Sequence, residues 1–344
     1  EMALQKLENA NAFVVRDLDT EAPAIGIVRS APKILQGGAK ELARSQTYQL
    51  AILEMQHQGA SCGVNAAPDE RDDTMAAFCA ELLTAVQSGS LMLSAAKGVS
   101  DEQMSTLNAA DARSDIRLND IDGISNTAHL TGLGAVACAS AARSLDGAKI
   151  AIENFDDIGL AVARAAAAAG AKITAISTSA GAAMSDDGFD VGALATTMRI
   201  DGPGMVATLS DEELPFWRIL GADVDVLFAG SKAGLIDHKN GENLKASVLV
   251  PTGPIPYTTK GALTIERQGV TVLPDFVTTA GGLLAGFPDS DDQAAVESGI
   301  TTRLQALTES ILGKDASPIL EACFQAEAFL KTWRDELPFG RPFA

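Results

Sequence analysis

The sequence predicts a two-domain α/β protein whose second domain holds a largely parallel, doubly wound sheet. The chain has 344 residues, which is enough for about two domains. After residue 148, strand-like and helical runs alternate at the spacing of βαβ units, whereas the chain before it begins with short strands and then shows helical periodicity. We therefore expect an N-terminal α/β domain over residues 1–128 and a doubly wound domain over 129–300. The C-terminal helices, within residues 301–344, are expected to pack back on the first domain.

Composition narrows the classes of function. Hydrophobic residues make up 47% of the chain and charged residues 21%, which is typical of a folded protein. The 26 basic side chains face 45 acidic ones, and the resulting net charge of −19 would repel phosphate backbones. Nucleic acid and membranes are therefore not expected as partners. The start of the chain shows no signal sequence, and no long apolar run is present, so export and membrane insertion are not expected.

Cysteine usage indicates a reducing compartment. The four cysteines show no C-x-x-C or Cys/His spacing, so neither a metal site nor a disulfide framework is expected. A cytoplasmic location fits this pattern. The cysteines are Cys62, Cys79, Cys138 and Cys323.

The first domain is predicted to open with a hairpin. Strand-like runs at Phe13–Val15 and Pro23–Arg29 flank a polar turn, and the first run would form an open edge that favours oligomerisation. Spacings of three and four between apolar residues predict helices over Ala39–Gln58 and Asp69–Val86. A glycine-containing loop, Gly59–Gly63, is expected between these helices.

The second domain is predicted to begin with a helix over Thr131–Leu145. A helix over Gly159–Ala169 ends at Gly170, as a glycine just past a helix end should. Residues Ser290–Glu336 are expected to form one or two amphipathic helices. The predicted strands are Ile150–Ile152, Lys172–Ser177, Val224–Phe228, Ala246–Val250 and Val270–Leu273.

Five segments, taken in order, carry a likeness to a known family. Together they resemble the glutamate/leucine/phenylalanine/valine dehydrogenases, and the likeness covers nearly the whole chain. The resemblance implies an N-terminal substrate and oligomerisation domain, a Rossmann-type cofactor domain, and oxidative deamination of an amino acid with NAD or NADP in a cleft between them. The segments are Pro23–Arg29, Glu41–Tyr48, Gly59–Gly63, Thr131–Gly134 and Leu273–Gly282.

The catalytic positions depart from the family pattern. The family binds the substrate carboxylate with one lysine, activates water with a second lysine of lowered pKa, and moves protons with an aspartate. By the resemblance, these positions hold Gln49, Cys62 and Ala96 here. The implied substrate pocket comprises Gly26, Gln49, Cys62 and Thr279, where the last replaces an asparagine of the family.

The cofactor turn departs as well. A Rossmann turn uses glycines so that backbone amides can approach a pyrophosphate, but this turn keeps only Gly159 and adds Asp156 and Asp157. Each carboxylate would repel the pyrophosphate by roughly 3 to 4 kcal/mol per charge pair. NAD or NADP is therefore expected to bind weakly or not at all. The implied cofactor positions are Thr131, Asn154, Asp156, Gly159, Ser177 and Thr252.

Four residues allow two interpretations each. Cys62 is a buried, inert thiol or a nucleophile, although His57 is the only histidine near it in sequence. Asp156 and Asp157 either cap the next helix, and so occupy the phosphate site themselves, or face the pyrophosphate and repel it. Lys232 is a solvated loop lysine or a replacement anion binder.

Two functions remain open from the sequence. The favoured one is an amino-acid dehydrogenase homologue that has lost NAD-dependent deamination and acts as a non-catalytic subunit, a regulator or a binder of a small molecule in the interdomain cleft. It is expected to form a homo-oligomer, or a hetero-oligomer with an active homologue. The alternative is an active NAD(P)-dependent oxidoreductase on an amino or related acid that uses the substituted residues.

Overall fold

The protein consists of two compact units. The computed structural model describes residues 2–210 and 212–343. The first unit comprises the chain up to Arg113 together with Cys323–Phe343, and the second comprises Ser114–Ala322. The domain limits expected from the sequence, 1–128 and 129–300, stay a prediction.

A five-stranded mixed sheet forms the centre of the first unit, in the order β1-β2-β4-β3-β5. β3, β4 and β5 run parallel, whereas β2 is antiparallel to both of its neighbours. The strands are β1 (Ala3–Lys6), β2 (Ala12–Arg16), β3 (Ala24–Ala31), β4 (Gln58–Asn65) and β5 (Leu91–Ala95). The helices before residue 113 are α1 (Gln36–Ile52), α2 (Arg71–Gln87) and α3 (Ser105–Ala110).

The predicted opening hairpin is wrong. β2 and β3 are not paired, because β4 lies between them. The side chain of Gln58, at the start of β4, anchors the connection from β2 to β3: it accepts the amide of Leu18 at 3.1 Å and donates to the carbonyls of Thr20 and Ala22. These hydrogen bonds satisfy backbone groups of the loop between β2 and β3, and the loop is wide enough for β4 to lie between the two strands.

The predicted edge strand is also wrong. Phe13–Val15 lies in β2, which is flanked on both sides, and the edge is instead β1, whose four residues are all exposed. The hairpin that does form joins β1 to β2, with Ala3 opposite Arg16. This hairpin was not predicted because the four exposed residues of β1 lack the alternation of apolar and polar side chains that marks a half-buried strand.

The predicted loop Gly59–Gly63 is in fact part of strand β4. A Cβ at Gly59 would lie 1.9 Å from the carbonyl oxygen of Ala43, and one at Gly63 would lie 2.5 Å from the ring of Phe13. The glycines therefore let α1 and β2 approach the strand closely, and they do not mark a turn. Helix α1 ends at Ile52 and not at Gln58.

The C-terminal segment is held in the first unit by polar contacts. Glu327 accepts hydrogen bonds from the Tyr48 hydroxyl at 3.1 Å and from Arg341 at 2.7 Å. Arg44 pairs with the buried Asp17 at 2.8 Å and also donates to backbone carbonyls near residue 340. A buried arginine with a carboxylate and carbonyl partners is fully compensated, so this packing is specific.

A six-stranded sheet forms the centre of the second unit, in the order β10-β9-β8-β11-β12-β13. Five strands are parallel, as predicted, and β10 adds an antiparallel edge to β9 that the sequence reading missed. Its strands are β8 (Lys149–Ile152), β9 (Lys172–Thr178), β10 (Gly181–Met184), β11 (Val226–Ala229), β12 (Val248–Pro251) and β13 (Thr271–Val272), and a separate two-stranded ribbon comprises β6 (Asp120–Ile121) and β7 (Ile124–Ser125).

Helices cover the second sheet, as the alternating pattern predicted. The 3-10 helices of the unit are Asp115–Leu118, Gly202–Gly204 and Phe216–Gly221. The α-helices of this unit are α4 (Asn126–Ala142), α5 (Asp157–Ala168), α6 (Val191–Asp201), α7 (Met205–Leu209), α8 (His238–Gly241), α9 (Thr259–Arg267), α10 (Asp275–Thr278), α11 (Ala280–Leu284) and α12 (Gln293–Ile311). Most of α13 (Pro318–Leu330) belongs to the first unit, which includes the chain from Cys323.

Helix α4 organises this unit. It begins at Asn126 and not at Thr131, because Ser125 supplies the cap and accepts the amide of Ala128. A Cβ at Gly132 would lie 2.5 Å from the side chain of Ala161, so α4 and α5 are nearly in backbone contact. None of the helices within residues 2–210 and 212–343 combines the length and apolarity needed to cross a membrane.

Candidate functional site

The carboxyl edge of the second sheet holds the candidate site. Strand order reverses between β8 and β11, since β9 follows on one side of β8 and β12 on the far side of β11. Ligands of doubly wound sheets bind at such a switch point, outside the carboxyl ends of the strands. The residues directly after β8, β9, β11 and β12 therefore define the site.

Glu153 lies at the centre of this edge, and the sequence reading missed it. Its side chain follows β8, is 3% exposed, and accepts the amides of Gly230 and Ser231, both at 3.0 Å. The carboxylate therefore joins the end of β8 to the loop after β11. A glutamate directly after an apolar strand was the signal that could have revealed it.

The turn after β8 is shaped by its own polar side chains. Asn154 has a φ of 66°, in the left-handed region that favours glycine, and its side-chain amide donates to Asp156 at 2.7 Å. Asp156 is the N-cap of α5, and one of its oxygens accepts the amides of Ile158 and Gly159, both at 3.0 Å. The capping interpretation of Asp156 is confirmed.

The two aspartates at this turn disfavour added negative charge. Desolvation raises the pKa of the Asp156 carboxyl, and the charge of Asp157 raises it further, while the amide hydrogen bonds act in the opposite direction. Desolvation also raises the pKa of Asp157. Both side chains are exposed to solvent.

Three further predicted positions adjoin this turn. The Ser177 hydroxyl accepts the amide of Asn154 at 3.3 Å, and a Cβ at Gly159 would lie 3.0 Å from the Asn154 carbonyl oxygen. Thr252 donates its amide to Ala229 at 3.0 Å at the ends of β12 and β11. The structure thus gathers Asn154, Asp156, Gly159 and Ser177 at one turn, with Thr252 two strands away.

Thr131 lies apart from the turn, on α4 beside α11. Its hydroxyl donates to the carbonyl of Thr127 at 2.7 Å, and a Cβ at Gly282 would lie 2.4 Å from that hydroxyl oxygen. A Cβ at Gly281 would lie 2.0 Å from the carbonyl oxygen of Leu130. The paired glycines of the Thr-Ala-Gly-Gly run therefore let two helices meet at their backbones.

The segment before these glycines is anchored by a buried carboxylate. Asp275 is 1% exposed, and it accepts the amide of Ile255 at 2.8 Å and the hydroxyl of Tyr257 at 3.3 Å. Its backbone carbonyl accepts the Thr279 hydroxyl at 2.7 Å. The Pro-Asp-Phe-Val run thus has a structural role that does not depend on a ligand.

The other predicted substrate positions lie in the first unit. A Cβ at Gly26 would lie 2.1 Å from the Ala60 carbonyl oxygen, so this glycine serves the packing of β3 on β4. Gln49 is buried on α1 and accepts a hydrogen bond from Gln46 at 2.7 Å. The backbone amide of Ala96 donates to Val28 just after β5. A pocket that these residues share with Thr279, in the second unit, stays a prediction.

Cys62 lies in the apolar core of the first unit. It is 0% exposed, and desolvation raises the pKa of its thiol to about 12, although the guanidinium groups of Arg16 and Arg29 oppose this shift. A buried thiol of high pKa is a poor nucleophile. His57 lies between α1 and β4, and burial lowers its pKa, so it supplies no positive charge to activate the thiol. The inert interpretation of Cys62 is favoured by both observations.

The residues at the carboxyl edge do not fit a dinucleotide pyrophosphate. The amides that such an anion would take at the start of α5 already bind Asp156, and those after β11 already bind Glu153. Lys232 is exposed in the same loop and lines a small pocket with Glu153. Among the residues that the structure describes, no group of three or more acidic, histidine or cysteine side chains is arranged to hold a metal.

Comparison with known proteins decides the family. The model of the Glutamate/Leucine/Phenylalanine/Valine dehydrogenase family matches residues 123–299. The chain belongs to this family.

Relatives and solved structures agree with this assignment. The chain is 26% identical to the NADP-specific glutamate dehydrogenase of Saccharolobus shibatae over 174 residues, which cover 49% of this chain and 41% of that enzyme. It is 24% identical to NADP-specific glutamate dehydrogenase A1 of Halobacterium salinarum over 300 residues, covering 82% and 72%. The fold matches hetero-hexameric glutamate dehydrogenase of Thermus thermophilus in its Leu-bound form with a TM-score of 0.80 and 20% identity, covering 93% of this chain and 84% of that one. The predicted two-domain α/β class is thereby confirmed.

Proposed function

We propose that this family member has lost NAD-dependent oxidative deamination and acts as a non-catalytic subunit, a regulator or a small-molecule binder. The observation that carries the proposal is the pair of internal carboxylates at the carboxyl edge. Asp156 and Glu153 each accept two backbone amides, at 3.0 Å in every case. An incoming phosphate would have to displace a carboxylate that belongs to the protein and then bear its repulsion.

The substitutions on the substrate side support the same proposal. Gln49 and Cys62 stand where the resemblance places two lysines, and neither supplies a positive charge. A thiol with a pKa of about 12 also cannot replace a lysine of lowered pKa as a general base near neutral pH. The two lysine roles, carboxylate binding and activation of water, therefore have no chemical substitute at the expected positions. Ala96 likewise supplies no acid for the proton-transfer role.

A role as one subunit of a larger assembly has separate support. The solved Thermus thermophilus enzyme is described as hetero-hexameric and Leu-bound, so an assembly of unlike chains exists among structures of this fold. In this chain, β1 presents an open edge with four exposed residues, including Leu4, which is 38% exposed. Such an edge is suited to pairing with another chain. We propose a homo-oligomer, or a hetero-oligomer with an active homologue, in the cytoplasm.

The alternative is an active oxidoreductase that uses substituted residues. Its support is the retained contact between Thr131 and the glycines of α11, which preserves the scaffold beside the implied nicotinamide position. Under this alternative, NAD or NADP would bind despite the carboxylates. The two proposals therefore differ in a measurable quantity.

Cofactor binding and turnover test the proposal directly. Calorimetry with NAD, NADH, NADP and NADPH is expected to give no binding in the micromolar range. Assays of reduced-cofactor formation with glutamate, leucine, valine and phenylalanine are expected to give no turnover. Micromolar binding together with a rate in the ordinary enzyme range, about 1 to 1000 per second, would establish the alternative instead.

Light scattering tests the assembly separately. A protein that stays monomeric at micromolar concentration, alone and when mixed with an active member of the family, would remove the subunit role. It would leave the small-molecule role in place. We expect an oligomer in at least one of the two samples.

A further inference from the structure

A cleft in the second unit lies apart from the cofactor edge. Its volume is about 610 Å³, and its walls include the segments that lead into the amino ends of β11 and β12. The carboxyl edge described above lies at the opposite ends of these strands. The side chains that matter for its chemistry are Trp217, Arg218, Asp223, Asn243 and Lys245.

An exposed tryptophan forms one wall of this cleft. Trp217 is 55% exposed and its neighbour Phe216 is 39% exposed, in a chain that has only two tryptophans. The 3-10 helix that carries both is held in place by Ile219 and Leu220, which are 1% and 5% exposed. The aromatic face is therefore presented to solvent by an anchored segment, and leaving it uncovered forgoes apolar burial.

Two cations stand beside the tryptophan. Arg218 and Lys245 line the cleft and are exposed, and within residues 2–210 and 212–343 neither side chain forms an ion pair or a hydrogen bond. The chain carries 45 acidic and only 26 basic side chains, so a cleft lined by two cations stands out from its overall negative charge. Asp223 is the one carboxylate that lines the cleft, which leaves an excess of one positive charge there.

The cleft continues toward the cofactor edge through a smaller pocket of about 100 Å³. Trp217, Leu220 and Asn240 line both spaces, and Lys232 and Glu153 line only the smaller one. Asn240 is held by hydrogen bonds with Leu235 and Asp237, so the wall between the two spaces is ordered. The two spaces therefore share the aromatic wall of Trp217, whereas the charged side chains of Arg218, Asp223 and Lys245 line only the large cleft.

We propose that this cleft binds a planar aromatic anion, with the ring stacked on Trp217 and the anionic group paired with Arg218 and Lys245. An exposed aromatic face stacks on planar rings of many kinds, and arginine and lysine pair with both phosphate and carboxylate. The space is large enough for a ring system with one anionic substituent. A nucleoside monophosphate and an aromatic carboxylate share this chemistry. Binding here does not depend on whether the chain deaminates amino acids.

Tryptophan fluorescence can report on the cleft alone. The variant Trp333→Phe leaves Trp217 as the sole tryptophan, and titration with AMP or benzoate is expected to quench its emission saturably. Adenosine lacks the anionic group and inorganic phosphate lacks the aromatic ring, so each is expected to bind at least about tenfold more weakly than AMP. Quenching by AMP alone identifies a nucleotide source, and quenching by benzoate alone identifies an aromatic carboxylate.

Calorimetry on variants then assigns the site. The double variant Arg218→Gln/Lys245→Gln and the single variant Trp217→Leu are each expected to weaken binding by about tenfold or more. The matched control Lys260→Gln/Lys314→Gln removes the same charge from exposed positions that do not line the cleft, and it should bind like the unmodified protein. Trp217→Leu changes an exposed side chain, so it provides a folded test even if the double variant is unstable.

Two results would overturn the inference. One is the absence of saturable binding by either aromatic anion at millimolar concentration, and the other is unchanged affinity in Trp217→Leu. Neither result bears on the loss of catalysis, which the deamination assay measures independently.

Discussion

By the resemblance, the family has glycines both at the turn after β8 and at the contact between α4 and α11. In this chain the residues at the two places differ. At the turn, the resemblance implies that Asn154 and Asp156 stand in place of glycines, and their side chains bond to each other and to the start of α5. At the helix contact, Gly281 and Gly282 remain, with a carbonyl oxygen and a hydroxyl oxygen where a Cβ would stand. By the resemblance, the first position would serve a ligand in the family, whereas the contacts at the second serve the fold.

This difference separates two reasons for a glycine. A glycine that admits a ligand can be replaced once the ligand is gone, and side chains that satisfy the vacated amides then stabilise the turn. A glycine that admits another helix cannot be replaced without moving that helix. The pattern at the two places is therefore what loss of cofactor binding on an intact scaffold would produce.

The largest effect is expected at the helix contact. Gly281→Val should lower the free energy of unfolding by more than about 3 kcal/mol, because the new Cβ would overlap the carbonyl oxygen of Leu130. Urea denaturation followed by circular dichroism measures this change. The control Gly299→Ala lies in α12 with open space around it and should raise stability by about 0.5 to 1 kcal/mol. Equal stability of Gly281→Val and the unmodified protein would contradict the tight contact.

The next effect is expected at the turn. Replacing Asn154 with Gly, Asp156 with Gly and Asp157 with Asn should raise NAD affinity by about ten- to hundredfold, because it removes two carboxylates and frees two amides. Calorimetry at low salt measures this gain, which screening will reduce at high salt. Asp156→Asn alone keeps the cap and removes one charge, so its gain should be smaller. No gain in the triple variant would mean that the carboxylates are not what excludes the cofactor.

A third effect concerns Cys62 in the retained core. Its thiol pKa is raised from 9.0 to about 12 in the folded protein, so folding favours the protonated thiol. The resulting stability is complete below about pH 9 and is lost as the pH rises from there toward 12. Between pH 8 and pH 10, Cys62→Ala should therefore lose about 1.4 kcal/mol less stability than the unmodified protein.

Denaturation at the two pH values measures this difference. Val64→Ala, a buried residue of the same core cluster without a thiol, should keep the unmodified pH dependence. Cys138→Ala should behave like Cys62→Ala, because burial also raises the pKa of that thiol to about 12. Identical slopes in Cys62→Ala and the unmodified protein would show that the thiol is accessible to water.

The smallest effect is expected from the cap itself. Asp156→Asn should change stability at pH 7 by less than about 0.5 kcal/mol, since asparagine is an equally good N-cap and desolvation raises the pKa of the aspartate, which favours a neutral side chain. Asp156→Ala should cost about 1 kcal/mol, because it leaves two amides without their partner. Thermal denaturation of both variants separates capping from charge, and an Asp156→Ala protein as stable as the Asn variant would remove the capping role.

Local patterns predicted the second unit better than the first. The strand runs at Ile150–Ile152 and Lys172–Ser177 and the helix closed by Gly170 all formed nearly where expected, since parallel strands buried on both faces read as continuous apolar runs. In the first unit, the glycines at 59 and 63 were taken for a loop. Glycine is needed at these two positions because α1 and the ring of Phe13, which come earlier in the sequence, approach the strand closely.

In the candidate site as well, contacts between residues close in sequence could be predicted and contacts between distant residues could not. Asp156 was predicted as a cap because its partners lie two and three residues away. Glu153 was missed because its partners, Gly230 and Ser231, lie more than 70 residues further along the chain. The pairing of Trp217 with Lys245 in one cleft was likewise invisible, since only the packed sheet brings their segments together.

The sequence by itself determined the family, the α/β class and the five parallel strands of the second sheet, because each depends on residue identity and short-range periodicity. Only the tertiary structure decided that β4 separates β2 from β3, that β1 forms the edge, and that Glu153 occupies the amides after β11. The physical reason is that strand order, the burial of Cys62 and the hydrogen bonding of backbone amides depend on contacts between segments that are distant in the sequence. A local sequence pattern does not reveal the free energy of those contacts.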